Sequence, residues 1–381
     1  MLVGGPNRIH ISPPDITESE VDAVVSALRS GWIAPLGPDV DAFESEVATF
    51  CGVEHAVAVS SGTAALHLGL LGLGVTAQDE VVVPTMTFGA TAFAVTYVGA
   101  LPAFLDIEPQ SWNLDPDVLE SFLFTRASLN LLPAAIITVD VFGRSCDYER
   151  IIAVANRYEV PVLADSAESL GATYGGQACG SFGQASVISF NGNKIMTTSG
   201  GGMLLTNDAL MAAKSRFWSA QSREPAPWYE HLEVGYNYRL SNILAALGRA
   251  QLTRLPAMIE RRRAIRDLYA VLLGGIPGVS VLGDPPWGRS NAWLTTVLFD
   301  PVLHADAPRR VRETLETFNI ESRPVWKPMH QQPVFASNYK SLTGVADKVF
   351  NQGLCLPSGA TLSDDDLIRI SGIVSSCLNQ S

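Results

Sequence analysis

Short apolar runs that alternate with helical segments constrain the fold of this chain more than any other feature. Each run is nearly continuous in apolar residues, as expected of strands that are covered on both faces. Strand–helix alternation favours a mainly parallel sheet in an α/β domain. The runs comprise residues 55–59, 80–83, 102–105, 135–139 and 160–164.

The pattern changes near Leu255-Pro256, where a charged helical segment begins. We therefore predict a large α/β domain over 1–255, including an N-terminal arm, and a small α+β domain over 256–381. The arginine run 261–263 could bind phosphate, but the apolar stripe beside it favours a solvated helix face. The later segments are predicted strands at 279–281 and 292–299, and predicted helices at 309–317 and 363–378.

Composition narrows the class of protein. Hydrophobic residues make up 47% of the 381 residues, which is enough for a large core. The net charge of −12 argues against a general nucleic-acid binder. The most apolar stretches are interrupted by polar residues and are too short to span a membrane. Residues 1–6 lack the regions of a signal peptide, so we expect a cytoplasmic protein.

The cysteines and histidines do not indicate a metal site or a disulfide framework. Five cysteines occur without a CxxC pair, and six histidines show no ligand spacing. We therefore expect no metal.

A run of small residues follows the first predicted strand. The sequence SSGTAALHL enters a helix at Gly62 and Thr63, where free N–H groups and the helix dipole would favour a phosphate. The alternative is a plain N-cap by Ser61 or Thr63 that needs no ligand.

Two acidic residues follow the predicted strand 160–164. Asp165 ends a buried strand, and Glu168 comes three residues later in the sequence DSAE. A carboxylate there is costly without a partner, so it either caps the next helix or faces a cationic group in the cleft.

Lys194 lies in a loop of small residues between two apolar segments. The sequence SFNGNKIMTTSGGGMLL contains the first lysine of the chain. A partly desolvated lysine can form a Schiff base, whereas a lysine at a surface hairpin tip would have no such role. Together with the helix-start anion site and Asp165, this lysine matches what pyridoxal phosphate (PLP) requires.

The motifs resemble the DegT/DnrJ/EryC1/StrS family of PLP-dependent nucleotide-sugar aminotransferases, of fold type I. The matching stretches extend over most of the chain and include SSGTAALHL, VPTMTFGATAFAV, VDVFGRSCD, LADSAESLGATYGG, SFNGNKIMTTSGGGML, GYNYRLSNILAALGRAQL and KPMHQQPVF. The resemblance implies a large mainly parallel α/β/α domain and a smaller C-terminal domain.

The resemblance also implies roles for cofactor-binding residues. Lys194 would form the Schiff base with PLP and move the proton, and Asp165 would pair with the pyridinium nitrogen. Gly62, Thr63 and Ser189 would bind the phosphate. Phe88 would stack on the ring, although a core aromatic residue is the alternative.

Other roles concern the partner subunit and the substrate. Asn237 would reach the phosphate of the neighbouring subunit, which implies a homodimer with shared active sites. Arg239 is a candidate for the nucleotide diphosphate, with a surface ion pair as the alternative. The candidates for the sugar pocket are Trp32, Asn193, Trp326 and His330.

Position 168 departs from many family members, which carry glutamine near the phenolic oxygen of PLP. An ionised Glu168 beside that phenolate would be repulsive, so it is protonated or turned toward the substrate. With the SFNGNK loop, this glutamate resembles the branch that transfers an amino group to carbon 4 of UDP-4-keto-6-deoxy-N-acetylglucosamine. L-glutamate is the expected donor, and surface-glycan biosynthesis is the expected pathway.

These residues bear on four alternative functions and disfavour some of them. One is an aminotransferase on a dTDP-linked or 3-keto sugar. A sugar dehydratase of the same fold would replace the lysine with histidine, and this chain keeps Lys194. A non-catalytic member would not need Lys194 and Asp165 together. An amino-acid lyase would need an arginine for the α-carboxylate, for which Arg323 is the obvious candidate.

Overall fold

The predicted apolar runs form strands of one central sheet in the computed structural model, which describes residues 8–379. Each predicted strand of the first half is present within about two residues of its expected bounds. The N-terminal residues on which the signal-peptide expectation depends lie outside the described range.

Eleven α-helices and fifteen strands make up the described chain. The helices are α1 Glu18–Ser30, α2 Pro38–Cys51, α3 Gly62–Gly72, α4 Gly89–Tyr97, α5 Pro116–Ser128, α6 Tyr148–Arg157, α7 Ala209–Ser219, α8 Asn242–Leu273, α9 Ala307–Thr317, α10 Val345–Gln352 and α11 Asp364–Asn379. The strands are β1 His55–Val59, β2 Glu80–Pro84, β3 Leu101–Leu105, β4 Ala135–Val139, β5 Val162–Asp165, β6 Thr173–Tyr174, β7 Gln177–Ala178, β8 Ala185–Ser189, β9 Gly202–Thr206, β10 Val279–Val281, β11 Gly288–Arg289, β12 Thr295–Phe299, β13 Arg323–Pro324, β14 Lys340–Ser341 and β15 Gly353–Leu356.

The central sheet has eight strands in the order β1-β9-β8-β5-β4-β2-β3-β14. All neighbouring pairs are parallel except those of β9, which is antiparallel to both β1 and β8. In the register of β4 and β5, Val139 lies opposite Asp165. The carboxyl ends of β1, β2, β4, β5 and β8 therefore meet at one edge, where ligands bind in such sheets.

Helices cover both faces of this sheet, as the α/β/α prediction requires. One buried cluster joins the sheet to α3 and α4, and it includes Leu66, Leu68 and Val95. Another joins the opposite face to α5 and α6, and it includes Phe122 and Ile151. The sheet is thus buried on both sides, which explains why its strands are apolar at nearly every position.

A second sheet, in the order β10-β12-β15-β13, is antiparallel and packs with α9 and α11 around its own core. The helix α8 connects it to the large sheet and runs without interruption through Pro256. The predicted division at 255/256 therefore lies inside one continuous helix. The late strand β14 joins the edge of the large sheet next to β3, so part of the C-terminal region packs on the large domain.

The arginine run on α8 differs from the predicted solvated face. Arg262 and Arg263 are buried, at 2% and 8% exposure, and neither lies at a phosphate-like site. Arg262 donates to the carbonyl oxygens of Trp293 and Ser358, and Arg263 donates to the carbonyl of Ser290. Helical periodicity alone could not show this, because the small domain covers this side of α8.

All five cysteines are free and buried. Within residues 8–379, no helix is long and apolar enough to cross a bilayer, and no cluster of three or more His, Cys, Asp or Glu side chains could hold a metal ion.

Candidate active site

A cavity of about 340 Å³ opens at the carboxyl edge of the central sheet. Several chain segments that are distant in sequence meet there, which is the usual position for a ligand in an open parallel sheet. The predicted residues that line the cavity are Gly62, Thr63, Phe88, Asp165, Glu168, Ser189, Asn193, Lys194 and Trp326.

The helix start at Gly62 forms one end of the cavity. Ser61 is the N-cap residue of α3, and its hydroxyl accepts from the amide of Ala64 at 3.0 Å. The amides of Gly62 and Thr63 find no acceptor among residues 8–379. The cap and the anion site therefore coexist, because Ser61 satisfies only one of the free N–H groups.

Two glycines keep this end of the cavity open. A Cβ atom on Gly62 would lie 3.0 Å from Cβ of Ser189 at the end of β8. A Cβ atom on Gly202 would lie 2.5 Å from the amide nitrogen of Gly62. Larger residues at either position would push β8 and β9 away from the helix start.

Asp165 is buried at the end of β5. Thr91 donates to Oδ2 of Asp165 at 2.7 Å, and the amide of Ala167 donates to Oδ1 at 3.2 Å. Desolvation raises the pKa of Asp165 to about 6, against smaller opposing effects of these donors. Lys194 attracts this carboxylate, but no cation among the described residues forms an ion pair with it, and a protonated ring nitrogen in the cavity would supply one.

Lys194 lines the same cavity, with 11% of its side chain exposed. Its Nζ atom is 3.3 Å from Oε1 of Glu168 and 3.9 Å from the ring centroid of Trp293. The lysine is therefore a partly buried amine inside the cavity and is not at a hairpin tip.

Glu168 is held by an unusual turn after β4. The amide of Phe142 donates to Oε2 of Glu168 at 2.7 Å, and Phe142 has a φ of 55°. The side-chain amide of Asn291 donates to the carbonyl of Glu168 at 2.9 Å. One carboxylate oxygen is thus committed to the backbone, and the other faces Lys194.

Aromatic side chains cover the rest of the cavity. Phe88 is 59% exposed and contacts Trp326 edge-on, with ring centroids 5.9 Å apart. Trp326 also lies 5.2 Å from Phe142 and 6.4 Å from Trp293, centroid to centroid. The exposure of Phe88 on the cavity wall is inconsistent with the core-aromatic alternative.

Four predicted residues do not line the cavity of a single chain. Trp32 is 47% exposed in the loop before α2. His330 is held between Thr85 and Asp347, a structural position. Arg239 lies 3.6 Å from Glu44 in an ion pair, but with 12% and 9% of the two side chains exposed the pair is not at the surface. Asn237 is exposed outside the cavity, on the segment that pairs with Ala220.

Arg323 was the candidate carboxylate ligand of an amino-acid lyase. Its side chain is 63% exposed, pairs with Glu321, and does not line the cavity. This position does not favour the lyase alternative.

Sequence reasoning missed Thr91, Phe142, Asn291 and Trp293. Thr91 lies in the first turn of α4, the helix that follows β2, where a search for hydroxyls at helix starts after the strands could have found it. The contacts of the other three depend on loop conformation, and no local signal marks them.

These residues fit PLP in three respects. Among residues 8–379, the buried carboxylate of Asp165 has no ion-pair partner and the amides at Gly62 and Thr63 have no acceptor, and Lys194 lies in the same cavity. Those are the partners of a ring nitrogen, a phosphate and an aldehyde.

Comparison with known proteins agrees with this chemistry. Residues 14–375 match the model of the DegT/DnrJ/EryC1/StrS aminotransferase family, so the chain belongs to that family. It is an enzyme of the PLP-dependent sugar aminotransferase class.

Individual relatives extend over nearly the full chain. EpsN of Bacillus subtilis, provisionally named a PLP-dependent aminotransferase, is 44% identical and aligns over 95% of this chain and 94% of its own length. GDP-perosamine synthase of Caulobacter vibrioides is 37% identical, with 95% and 96% covered. The PLP form of Spr1654 from Streptococcus pneumoniae, provisionally named a sugar aminotransferase, has a TM-score of 0.88 at 28% identity, with 98% and 99% covered.

Proposed function

We propose that this enzyme transfers an amino group from L-glutamate to carbon 4 of a nucleotide-linked 4-keto-6-deoxy sugar, in amino-sugar biosynthesis for surface glycans. UDP-4-keto-6-deoxy-N-acetylglucosamine is the first candidate. The observation that supports this most is the meeting of Lys194, Asp165 and the start of α3 in one cavity. Glu168 and the SFNGNK loop support the choice of sugar, because they resemble the branch that acts on it.

The proposed roles follow from the positions of the side chains. PLP, when bound, supplies an aldehyde that bonds amines and a ring that accepts an electron pair. Lys194 Nζ would hold and move the proton that leaves the donor carbon and the proton that reaches the sugar carbon. Asp165 would stay ionised beside the ring nitrogen, and the amides of Gly62 and Thr63, with Ser189, would hold the phosphate.

Glu168 would restrain the amine of Lys194. Its Oε1 atom faces Nζ, whereas its Oε2 atom accepts from the amide of Phe142. The sequence predicts a glutamate that is protonated or turned toward the substrate, whereas its carboxylate here faces Lys194. Phe88 would cover the ring, and Asn193 and Trp326 would contact the sugar.

The partner subunit belongs to the same proposal. Within residues 8–379 of one chain, Lys194 is the only Lys or Arg that lines the cavity, yet a nucleotide diphosphate needs cationic partners. A cytoplasmic homodimer with shared active sites would supply further groups, including Asn237. Its exposed position outside its own cavity is consistent with that role.

A GDP-linked 4-keto-6-deoxy sugar is the second candidate. It is favoured by the 37% identity to GDP-perosamine synthase, which is named for a GDP-linked amino sugar. A dTDP-linked sugar is supported less, by the 30% identity to DesI, whose structure was determined in the presence of its TDP-sugar product.

Absorption spectroscopy with PLP tests the proposal. We expect a visible band with added PLP, loss of that band with L-glutamate, and its return with the UDP-linked keto-sugar faster than with the GDP-linked sugar. Product NMR should place the amine on carbon 4. As a control, Lys194→Ala should show no turnover. Faster return with the GDP-linked sugar would establish the second candidate, and a band indifferent to glutamate would exclude that donor.

A further inference from the structure

Trp293 has a relation to Lys194 that the proposed roles do not explain. Its indole face lies 3.9 Å from Nζ, and the side chain is 1% exposed. An ammonium over the face of a buried tryptophan is attracted by the ring quadrupole, most strongly where water is excluded. Glu168 faces the same ammonium at 3.3 Å, and Asp165 is the other carboxylate that lines the cavity.

Three hydrogen bonds fix Trp293, one through its ring and two through its backbone. Its Nε1 donates to the carbonyl of Asn193 at 2.8 Å, directly before Lys194 in the chain. Its backbone amide donates to the side chain of Asn291 at 2.9 Å. Its carbonyl accepts from Arg262 at 2.7 Å. Trp293 is therefore held against the lysine loop by the bond of its own Nε1, by Asn291 of the same loop and by Arg262 of α8.

The buried Arg262 supports both sides of this contact. It donates to Trp293 and also to the hydroxyl of Ser12, at 3.1 Å. Ser12 in turn donates to the carbonyl of Asn193 at 2.8 Å, the same carbonyl that Trp293 contacts. No carboxylate within the described residues bonds this guanidinium, which is costly for a buried cation. Two carbonyl oxygens and a hydroxyl accept from Arg262 in place of a carboxylate.

We infer that Trp293, with Glu168, forms a resting site for the free ammonium of Lys194, and that Trp293 is thereby a positioning residue of the aminotransferase. In a transamination cycle the lysine is free whenever the cofactor carries the substrate's amino group. A resting site stabilises that state and keeps Nζ close to the reacting carbon. The inference depends on PLP chemistry at Lys194 and is independent of the proposed sugar and donor.

The affinities of two cofactor forms separate the two states of the lysine. Lys194 Nζ bonds the aldehyde carbon of PLP, and the aldehyde oxygen leaves as water with two of the ammonium protons. Pyridoxamine 5′-phosphate has no aldehyde, so the ammonium stays free. A contact that stabilises the free ammonium therefore opposes the binding of PLP and leaves the binding of pyridoxamine phosphate unchanged.

The experiment measures the dissociation constants of both compounds for the cofactor-free full chain. We expect Trp293→Leu to raise the ratio of PLP affinity to pyridoxamine phosphate affinity about 2- to 30-fold over that of the native protein. This is the range for a buried cation–π contact. Trp293→Phe keeps a weaker aromatic face and should give a smaller shift. Trp287→Leu is the matched control, because its Nε1 also donates to a backbone carbonyl but the ring does not line the cavity.

Equal weakening of both compounds in Trp293→Leu would show a purely structural role and overturn the inference, as would an unchanged ratio. If that variant does not fold, replacement of all tryptophans by 5-fluorotryptophan tests the same contact without changing its shape. Fluorination should then change the ratio of PLP to pyridoxamine phosphate affinity in the native sequence and leave that ratio unchanged in Trp293→Phe. Neither readout uses glutamate or a sugar, so failure of the proposed function would leave this test intact.

Discussion

Two buried aspartates lie at the ends of neighbouring parallel strands, and the chain supplies more hydrogen-bond donors to one than to the other. Asp140 follows β4 and accepts from four donors: the amide of Cys146, the hydroxyl of Tyr148, and the hydroxyls of Ser166 and Ser169. Asp165 ends β5 and, within residues 8–379, accepts from two donors, Thr91 and the amide of Ala167. Desolvation raises the pKa of both.

The difference fits a structural role for Asp140 and the proposed cofactor-binding role for Asp165. The fully bonded Asp140 ties the turn after β4 to the loop that carries Asp165 and Glu168. Asp165 lines the cavity, where it would face the ring nitrogen of the cofactor under the proposed function. Position at the end of a strand is thus the same, and the number of internal donors decides the role.

Replacement of Asp165 by Asn should have the largest effect on catalysis. The amide cannot hold a positive charge on the ring nitrogen, so turnover should fall by about 10²- to 10³-fold, the size seen when a transition-state electrostatic partner is lost. The cofactor-free variant should stay folded, because an unpaired buried charge is removed. Steady-state kinetics and the melting curve of the cofactor-free protein check both parts, and native-like turnover would exclude the assigned role.

Replacement of Asp140 by Asn should chiefly affect stability. The new NH₂ group would face groups that now donate hydrogen bonds to the carboxylate. This should lower the free energy of unfolding by about 3 kcal/mol. Urea unfolding of the cofactor-free protein measures this. A stability equal to that of Asp165→Asn would erase the distinction between the two aspartates.

The pH dependence of stability should sharpen the contrast at Asp165. Its folded pKa of about 6 lies above the ordinary value, so the folded state binds more protons between about pH 4 and 6. The contribution of Asp165 to stability is therefore fully present below about pH 4 and falls as pH rises to 6, by up to about 3 kcal/mol.

Carboxylates with a lowered pKa change the pH dependence of stability in the opposite direction. Glu20 is an example, because hydrogen bonds from Thr17 and Arg254 outweigh desolvation and lower its pKa to about 2. The difference between native and Asp165→Asn cofactor-free proteins isolates the single group. Asp165→Asn should gain stability relative to the native chain as pH rises from 4 to 6. A difference independent of pH would contradict the raised pKa, and added PLP should remove the gain.

Replacement of Thr91 by Val should give the smallest effect. It removes one hydroxyl donor from Asp165 at nearly constant volume, and we expect about a 10-fold loss of turnover, equivalent to one hydrogen bond to a charged group. Ser169→Ala is the matched control, because it removes one hydroxyl donor from Asp140. The control should lose about 1 kcal/mol of stability and keep its turnover. Equal turnover losses in both variants would mean that the two networks act as one.

Much of the cofactor site could be predicted from the sequence. Strand ends in a parallel sheet share one edge, so the small residues at Gly62, the acid at Asp165 and the lysine at 194 could be assigned to one site because each follows a predicted strand. The substrate residues were harder to predict. Trp32, His330 and Arg239 match family motifs, yet in one chain they lie outside the cavity.

The sequence by itself determined the α/β class, the parallel core and the cofactor chemistry, because apolar periodicity and residues at strand ends act locally. Only the tertiary structure decided the surroundings of the lysine. The αL turn at Phe142 aims an amide at Glu168, and the burial of Arg262 by the small domain holds Trp293 against Lys194. Such contacts join residues far apart in the chain, and loop conformation and domain packing, which leave no periodic pattern, set their geometry.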